Sequence, residues 1–365
     1  MKRKLAVAAT LAALPFVVTG AVAEEEAVLN VYNWSDYIAE DTIAKFEEAT
    51  GIKVNYDVFD SNEVLEAKML AGGSGYDVVV PTSSFLARQI IAGVFQPLDT
   101  SKLANIANLD PAINELVAGH DPGNEHSVSY LWGTTGIGYN KPAIEERMPD
   151  APLDSWDMVL NPDVVANFAD CGVSMLDAPS EMVSATLHYL GLDPTSEDKG
   201  DLAKAEEHLQ KIRPHIRYFH SSQYINDLAN GDICLTVGWS GDILQARDRA
   251  NEAGKGVEVV YKIPTEGAMM WFDMLAVPVD APHPENAHKF IDFLMDPEIM
   301  ADITNYVSFA SGNSASMAYV SEDVLNDEAV HPSKDVIAKL YVPKVNSAKY
   351  DRIRTRAWTK VKTGQ

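Results

Sequence analysis

The chain has 365 residues and a formal net charge of −24, from 53 acidic and 29 basic side chains. This acidic surplus disfavours nucleic acid as a partner, because binding to a phosphate backbone relies on basic side chains. A negative field attracts cations, although a need for solubility explains the charge equally well. The length exceeds what one hydrophobic core usually supports, so we expect two domains.

The first 23 residues have the organisation of a secretory signal peptide. Three basic residues at positions 2–4 precede an apolar run over 5–19, and small residues follow at 21–23. The run is shorter than the roughly 20 apolar residues that a membrane span needs. We therefore expect cleavage near Glu24, which takes the net charge from −24 to −27 by removing the three basic residues. The mature chain is expected in a periplasm or an equivalent space.

The next part of the chain alternates between strand and helix patterns. Predicted strands cover 28–33, 53–59 and 76–80, and predicted helices cover 42–49, 62–71 and about 84–92. Short strands that alternate with helices are typical of parallel β-α-β units. The sequence therefore predicts an α/β domain at this end of the chain.

The middle of the chain repeats the same pattern, which indicates a second α/β lobe. Predicted strands cover 173–177, 232–238, 257–263 and 274–277, with helices after Pro179, from about Ser240, and over 284–295 and 297–306. The glycine run at 133–138 has the wrong order for a dinucleotide-binding fingerprint, and we interpret it as a crossover between lobes. Without a single long linker, the chain is expected to cross more than once, as in hinged ligand traps.

Aromatic and acidic residues recur beside the predicted strands, where open α/β sheets bind their ligands. The candidate site residues from this pattern are Trp34, Ser35, Asp36, Tyr37, Thr82, Glu181, Trp239, Asp242, Trp271 and Asp273. A buried ammonium group requires carboxylate partners, and tryptophan or tyrosine faces add cation–π attraction. The combination predicts a site for a small amine that carries several charges.

Simpler interpretations of these residues remain open at this stage. Asp36 and Asp242 are equally suited to cap helices, and the three tryptophans are equally suited to a core. Asp273 is harder to explain structurally, because an unpaired carboxylate is disfavoured within an apolar strand. The coincidence of several carboxylates and tryptophans at strand ends is the stronger indication.

Catalytic and metal chemistry find little support in the motifs. The sequence has no His-Glu-x-x-His pair, Gly-x-Ser-x-Gly elbow or phosphate-binding loop, and we expect neither enzymatic activity nor a cofactor. A glycosidase that works through carboxylates remains the alternative. Cys171 and Cys234 are the two cysteines of the chain, and export favours a disulfide between them over a metal site.

Several longer stretches resemble the periplasmic polyamine-binding proteins of ABC transporters, most closely the putrescine-binding branch. The matching stretches are NWSDY at 33–37, YDVFDSNE at 56–63, the glycine run with its continuation to 140, RYFHSSQY at 217–224 and on to Asp242, and DRIRTRAWTK at 351–360. They extend over nearly the whole mature chain.

The resemblance implies a type II periplasmic binding-protein fold, in which two α/β lobes close on a ligand at a hinge. We expect residues 24–135 and 262–312 in one lobe, and 136–261 and 313–365 in the other. It implies a monomer that delivers putrescine or spermidine to a membrane permease. It also adds Ser221 to the candidate site, assigns amine binding to Asp242 and Asp273 and alkyl-chain contacts to Trp34 and Trp239, and implies the Cys171–Cys234 disulfide.

Three positions depart from the putrescine pattern. Trp271 stands where that branch has phenylalanine and resembles the spermidine type, Thr82 replaces a serine, and Phe309 replaces a tyrosine. These departures leave the choice between putrescine and spermidine open.

Overall fold

The fold is an α/β structure built on one continuous mixed sheet. The computed structural model describes residues 25–365, and the predicted signal peptide lies outside them. The strands are β1 (Val28–Trp34), β2 (Lys53–Phe59), β3 (Val78–Val79), β4 (Ser127–Asn140), β5 (Val173–Met175), β6 (Tyr218–Phe219), β7 (Leu235–Trp239), β8 (Val259–Lys262), β9 (Met270–Ala276) and β10 (Ala310–Ser311).

Helices pack against this sheet. They are α1 (Thr42–Thr50), α2 (Asn62–Ala71), α3 (Ser83–Ile91), α4 (Pro111–Val117), α5 (Lys141–Arg147), α6 (Asp157–Leu160), α7 (Pro162–Val165), α8 (Pro179–Tyr189), α9 (Lys199–Ile212), α10 (Gln223–Asn230), α11 (Ser240–Ala253), α12 (Pro284–Leu294), α13 (Pro297–Val307), α14 (Glu322–Leu325), α15 (Lys334–Ile337) and α16 (Ala348–Thr363). Local signals explain several boundaries. Ser61 caps α2 by accepting from the Val64 amide, and Gly51 ends α1 with a left-handed φ of 73°.

The strand order is β2-β1-β3-β9-β4-β7-β5-β6, and β8 and β10 also pair with β4. Strand β1 is parallel to β2 and β3, which confirms the predicted β-α-β-α-β unit. Strand β5 is parallel to β6 and β7, whereas β4 and β9 pair with their neighbours in the antiparallel sense.

The long strand β4 divides the sheet into two parts. Up to Thr134 it pairs with β9, and from Thr135 it pairs with β7. We call β1, β2, β3, β9, β10 and the beginning of β4 the first half-sheet, and β5 to β8 with the end of β4 the second half-sheet. The change of partner lies within the glycine run that we interpreted as a crossover.

The glycines of this run permit close approach between strands. A Cβ atom on Gly136 would lie 2.5 Å from the carbonyl oxygen of Lys262, and one on Gly138 would lie 2.6 Å from the Ile243 side chain. Both distances are too short for real contacts, so the packing of β8 and α11 against β4 requires glycine here.

Two differences from the sequence predictions affect the elements near the centre of the sheet. Residues 127–140 form a strand that we did not predict, because glycine and threonine dilute its apolar pattern. Strand β9 begins at Met270 rather than at residue 274, so Trp271 and Asp273 lie inside a buried antiparallel strand and not ahead of it.

The Cys171–Cys234 disulfide is present, with its Cα atoms 5.6 Å apart, which confirms the predicted pairing over a metal site. It joins the turn ahead of β5 to the start of β7. Within residues 25–365, no helix combines the length and the apolar character that a membrane crossing requires.

Candidate functional site

A cavity with about 360 Å³ of empty volume lies between the two half-sheets. Its lining residues are Trp34, Ser35, Tyr37, Thr82, Glu181, Trp239, Asp242, Trp271, Asp273 and Phe309. Nine of the eleven predicted site residues are therefore brought together by the fold.

The end of β1 and the segment after β3 form one wall. Trp34 is the last residue of β1, and its indole N–H donates to the Val80 carbonyl oxygen at 2.9 Å. Thr82 directly precedes α3, and its hydroxyl accepts from the Asn62 side-chain amide at 2.8 Å. These bonds fix the Trp34 ring and orient the threonine towards its acidic neighbour.

That neighbour is Asp273, in the middle of β9. The Thr82 hydroxyl donates to its carboxylate at 2.6 Å, and the residue is only 3 % exposed. Burial is the main reason that the pKa of Asp273 rises to about 7. The nearby Tyr37 hydroxyl is buried without a hydrogen-bond partner, and burial followed by the Asp273 charge raises the pKa of Tyr37 well above its usual value.

The opposite wall carries Asp242, in the first turn of α11. The Tyr224 hydroxyl donates to one oxygen of Asp242 at 2.6 Å and leaves the other oxygen without a protein donor. Burial raises the pKa of Asp242 to about 8. In the absence of a cation, this carboxyl group therefore holds a proton at neutral pH.

Glu181, in the first turn of α8, differs from these two carboxylates because both of its oxygens have protein donors. The Trp239 indole N–H lies 3.0 and 2.9 Å from the two oxygens, and the Thr135 hydroxyl donates to one of them. Burial raises the pKa of Glu181 to about 7. Its hydrogen bonds make it the group that holds the Trp239 ring in place.

Aromatic rings enclose the space between the carboxylates. The Trp34 and Trp239 centroids are 5.3 Å apart at 77°, and those of Trp239 and Trp271 are 6.5 Å apart at 77°. Phe309 packs against Trp271 with a centroid distance of 5.4 Å. The Trp271 indole nitrogen is buried without a partner.

The lining contains three buried carboxyl groups and no basic side chain. Buried negative charges require a counter-charge, and aromatic faces bind both cations and methylene groups. The cavity is therefore suited to a small organic cation with an alkyl chain. Residues 25–365 contain no cluster of side chains that could hold a metal ion.

Two predicted residues lie outside this cavity. Asp36 has a φ of 54° and pairs with Arg249 at 2.7 Å, at the mouth of the site. The Ser221 hydroxyl accepts from the Asp177 amide at 3.0 Å and does not reach the lining.

The capping alternative is wrong for both aspartates that it concerned. Helix α1 begins at Thr42, well after Asp36, and the residue that precedes α11 is Trp239. Asp242 lies inside the first turn, where it faces the cavity.

Three residues that serve the site were missed as site residues. Phe309 lines the cavity, and Tyr224 and Thr135 hold the carboxylates of Asp242 and Glu181. The match of Phe309 to a family tyrosine could have identified it. Nothing in the local sequence connects Thr135 or Tyr224 to their acidic partners, which are distant in the chain.

The chain is similar to known binding proteins over most of its length. The profile of the bacterial extracellular solute-binding proteins matches residues 41–332. The chain is 53 % identical over 355 residues to the putrescine-binding periplasmic protein PotF of Escherichia coli K12, covering 97 % of this chain and 96 % of that one. It is 55 % identical over 346 residues to the putrescine-binding periplasmic protein SpuD of Pseudomonas aeruginosa UCBPP-PA14, covering 94 % of each.

Solved structures agree with the sequence relatives. The spermidine/putrescine ABC transporter substrate-binding protein PotD of Streptococcus pneumoniae superposes with a TM-score of 0.72 at 28 % identity. The alignment covers 92 % of this chain and 99 % of that one. The similarity therefore extends over both half-sheets.

Proposed function

The chain belongs to the bacterial extracellular solute-binding proteins and has their two-lobed α/β fold, and from this premise we propose that it captures a polyamine. The observation that carries the proposal is the cavity with three buried carboxyl groups, aromatic walls and no basic side chain. The relatives named for putrescine cover nearly the whole chain. Capture takes place in the periplasm, and the loaded protein delivers its ligand as a monomer to an ABC transporter permease.

In this proposal the two ammonium groups of the ligand bind Asp242 and Asp273. Each of these carboxylates receives one hydrogen bond from a hydroxyl, from Tyr224 and Thr82 respectively, and can accept another from an ammonium group. The faces of Trp34 and Trp239 cover the methylene chain between them. Ser35, Tyr37 and Trp271 complete the enclosure.

A diamine fits this arrangement better than a triamine. Glu181 already accepts from Trp239 and Thr135, so only two carboxylates offer free acceptors. We therefore propose putrescine as the preferred ligand, with spermidine bound more weakly.

The lobes of the proposed trap are residues 24–135 with 262–312, and 136–261 with 313–365. The change of β4 partner at Thr134 and Thr135 supports the first boundary. Strand β8 ends at Lys262 in the second half-sheet and β9 begins at Met270 in the first, which supports the return crossing.

An enzyme that works through carboxylates is not favoured. The family and the relatives named above are binding proteins, and Glu181 is committed to holding a tryptophan ring.

Calorimetric titration of the refolded, ligand-free mature chain with putrescine, cadaverine, spermidine and spermine tests the proposal. We expect the tightest binding for putrescine. Absence of heat with all four amines would exclude a polyamine receptor, and a clear preference for spermidine would overturn the diamine assignment.

Substitution of single carboxylates tests the proposed contacts. Asp273→Asn should weaken putrescine binding by about a hundredfold, because it leaves a buried ammonium without its counter-charge. Asp36→Asn should cost less than about tenfold, because Asp36 forms a partly exposed ion pair with Arg249. Equal losses in the two variants, with thermal unfolding unchanged, contradict the assignment of Asp273 to the ligand.

A further inference from the structure

A second cavity lies at the seam between the two halves of the molecule, on the other side of α8. It has about 430 Å³ of empty volume, and we call it the seam cavity. No residue lines both cavities. Their chemistry is opposite, because the seam cavity is lined by three basic side chains, Arg88, Lys344 and Arg354, together with hydroxyl groups and no carboxylate.

Arg354 provides the decisive feature. The residue is only 4 % exposed, and one of its terminal nitrogens donates to Asp351 at 2.7 Å. Its Nε atom is buried without any hydrogen-bond partner. A buried donor without an acceptor is costly, so an acceptor that occupies the seam cavity would remove that cost.

The other two basic residues differ in their availability. Arg88 donates to both oxygens of Glu66, at 3.0 and 2.9 Å, and also to Asp351. Its charge is therefore balanced behind the cavity wall. Lys344 has a single distant carboxylate, Asp193 at 3.8 Å, and is free to turn inwards.

We propose that the seam cavity binds a small oxyanion of the carboxylate, sulfate or phosphate type. The Nε atom of Arg354, the ammonium group of Lys344 and the hydroxyl of Ser84 are its donors. Arginine and lysine are the usual partners of such anions. Asp351 accepts from both Arg88 and Arg354 and lies outside the lining. It leaves the Nε atom of Arg354 without a partner.

The proposed anion lies where the two halves of the molecule meet, so it can favour closure of the two lobes. Ser84 belongs to α3, which packs against β9 of the first half-sheet. Arg354 belongs to α16, which packs against α8 and α9 on the other half. A bound anion therefore connects the two halves. Helix α8 also contributes Glu181 to the first cavity and Ser180 and Ser184 to the seam cavity.

The anion and the polyamine should affect each other's binding. This coupling rests on the proposed polyamine function, whereas the anion site itself does not. If both ligands favour the closed arrangement, each must tighten the binding of the other by the same factor. We expect phosphate to raise the affinity for putrescine, in contrast to the loss that general salt screening produces.

The test titrates inorganic phosphate, sulfate and acetate into the mature chain at constant ionic strength, with and without saturating putrescine. We expect saturable binding of at least one anion, tighter in the presence of putrescine. Lys344→Gln and Ser84→Ala should each weaken that binding by about threefold or more. Lys349→Gln, which makes the same charge change on α16 outside the lining, should leave it unchanged.

Direct anion titration keeps the two proposals separate. If putrescine does not bind, the proposed polyamine function is wrong. The titration of anions without putrescine still tests the seam cavity. Absence of saturable anion binding overturns the seam site, as does binding that Lys344→Gln and Ser84→Ala leave intact. Anion binding that does not alter putrescine affinity overturns the coupling.

Discussion

The Asp242 carboxyl group must lose a proton before it can pair with an ammonium group. Burial raises the pKa of Asp242 to about 8 and that of Asp273 to about 7. A polyamine stays protonated in this range, because its amines resemble lysine. When the polyamine binds, Asp242 and Asp273 therefore release protons, and the ammonium groups of the ligand take their place as the positive charges.

Proton release should be visible in calorimetry at pH 7. We expect about one proton or more to leave for each putrescine bound, and the affinity to rise as pH increases from about 6 to about 9. Titration in buffers with different ionisation enthalpies measures the number of protons. Heats that are independent of the buffer would show that both carboxylates are already charged in the empty site.

The same pKa shifts act in the opposite direction on the ligand-free fold. In the unfolded chain these carboxyl groups have ordinary pKa values near 4 and lose their protons first. The unfolding free energy of the empty protein therefore falls as pH rises from about 4 to about 8.

At the scale of single residues, sequence patterns identified residues that line the cavity, because strand ends and carboxylates beside apolar strands have recognisable signatures. Asp273 and Trp239 carry such signatures. Asp36 has the same local pattern and yet pairs with Arg249, which is 213 positions away. No local pattern contains that partner, so only the folded chain separates Asp36 from the carboxylates of the cavity.

At the scale of elements, the disulfide stabilises the second half-sheet and is attached to the end of β7 that lies away from the cavity. Cys234 directly precedes β7, and Trp239 ends it. Five strand residues span roughly 16 Å, so the sulfur atoms and the cavity lie at opposite ends of that strand. The covalent link should therefore affect stability more than binding.

Replacement of both cysteines by alanine tests this separation. The link spans 63 positions in the chain, and its loss should lower the unfolding free energy by about 4 kcal/mol in the chain-entropy model. Putrescine affinity should change by less than about threefold. Denaturant unfolding and calorimetry measure the two quantities, and a large loss of affinity at full folding would show that the disulfide also positions Trp239.

Predicted elements were correct where apolar residues recurred at strand or helix spacing between clear turn signals, as in β2 and α2. They failed at β4, because its glycines serve close packing and weaken the strand pattern. They also shortened β9, because Asp273 interrupts the apolar run that marks a buried strand. Asp273, a candidate site residue, therefore makes the strand that contains it harder to predict.

At the scale of the whole molecule, the ion pair between Asp36 and Arg249 joins the segment after β1 to α11 at 2.7 Å. Both side chains are 34 % exposed, so the pair contributes modestly. Gln245 of the same helix donates to the Asp36 carbonyl oxygen at 3.1 Å. In the proposed hinged trap, these contacts favour closure of the two lobes.

Arg249→Gln should weaken this closure. We expect putrescine to dissociate about two- to fivefold faster, with little change in the association rate. Arg247→Gln is the matched control, because Arg247 lies on the same helix and pairs with Asp248 and Asp327 instead. Stopped-flow measurement of dissociation distinguishes the variants, and equal rates in both would exclude a role for the pair.

The place of β9 in the sheet also determines the order in which the molecule can assemble. Strands β5 to β8 lie together in the sequence, so the second half-sheet can pair soon after residue 262 is synthesised. The first half-sheet begins the chain, but β9, formed by Met270–Ala276, lies between β3 and β4. Strands β1 to β3 can pair with one another early. The pairs of β3 and β4 with β9 must wait for it, and pairings between such distant segments are slow to form. The first half-sheet, which contains the first strands of the chain, is therefore completed after the second.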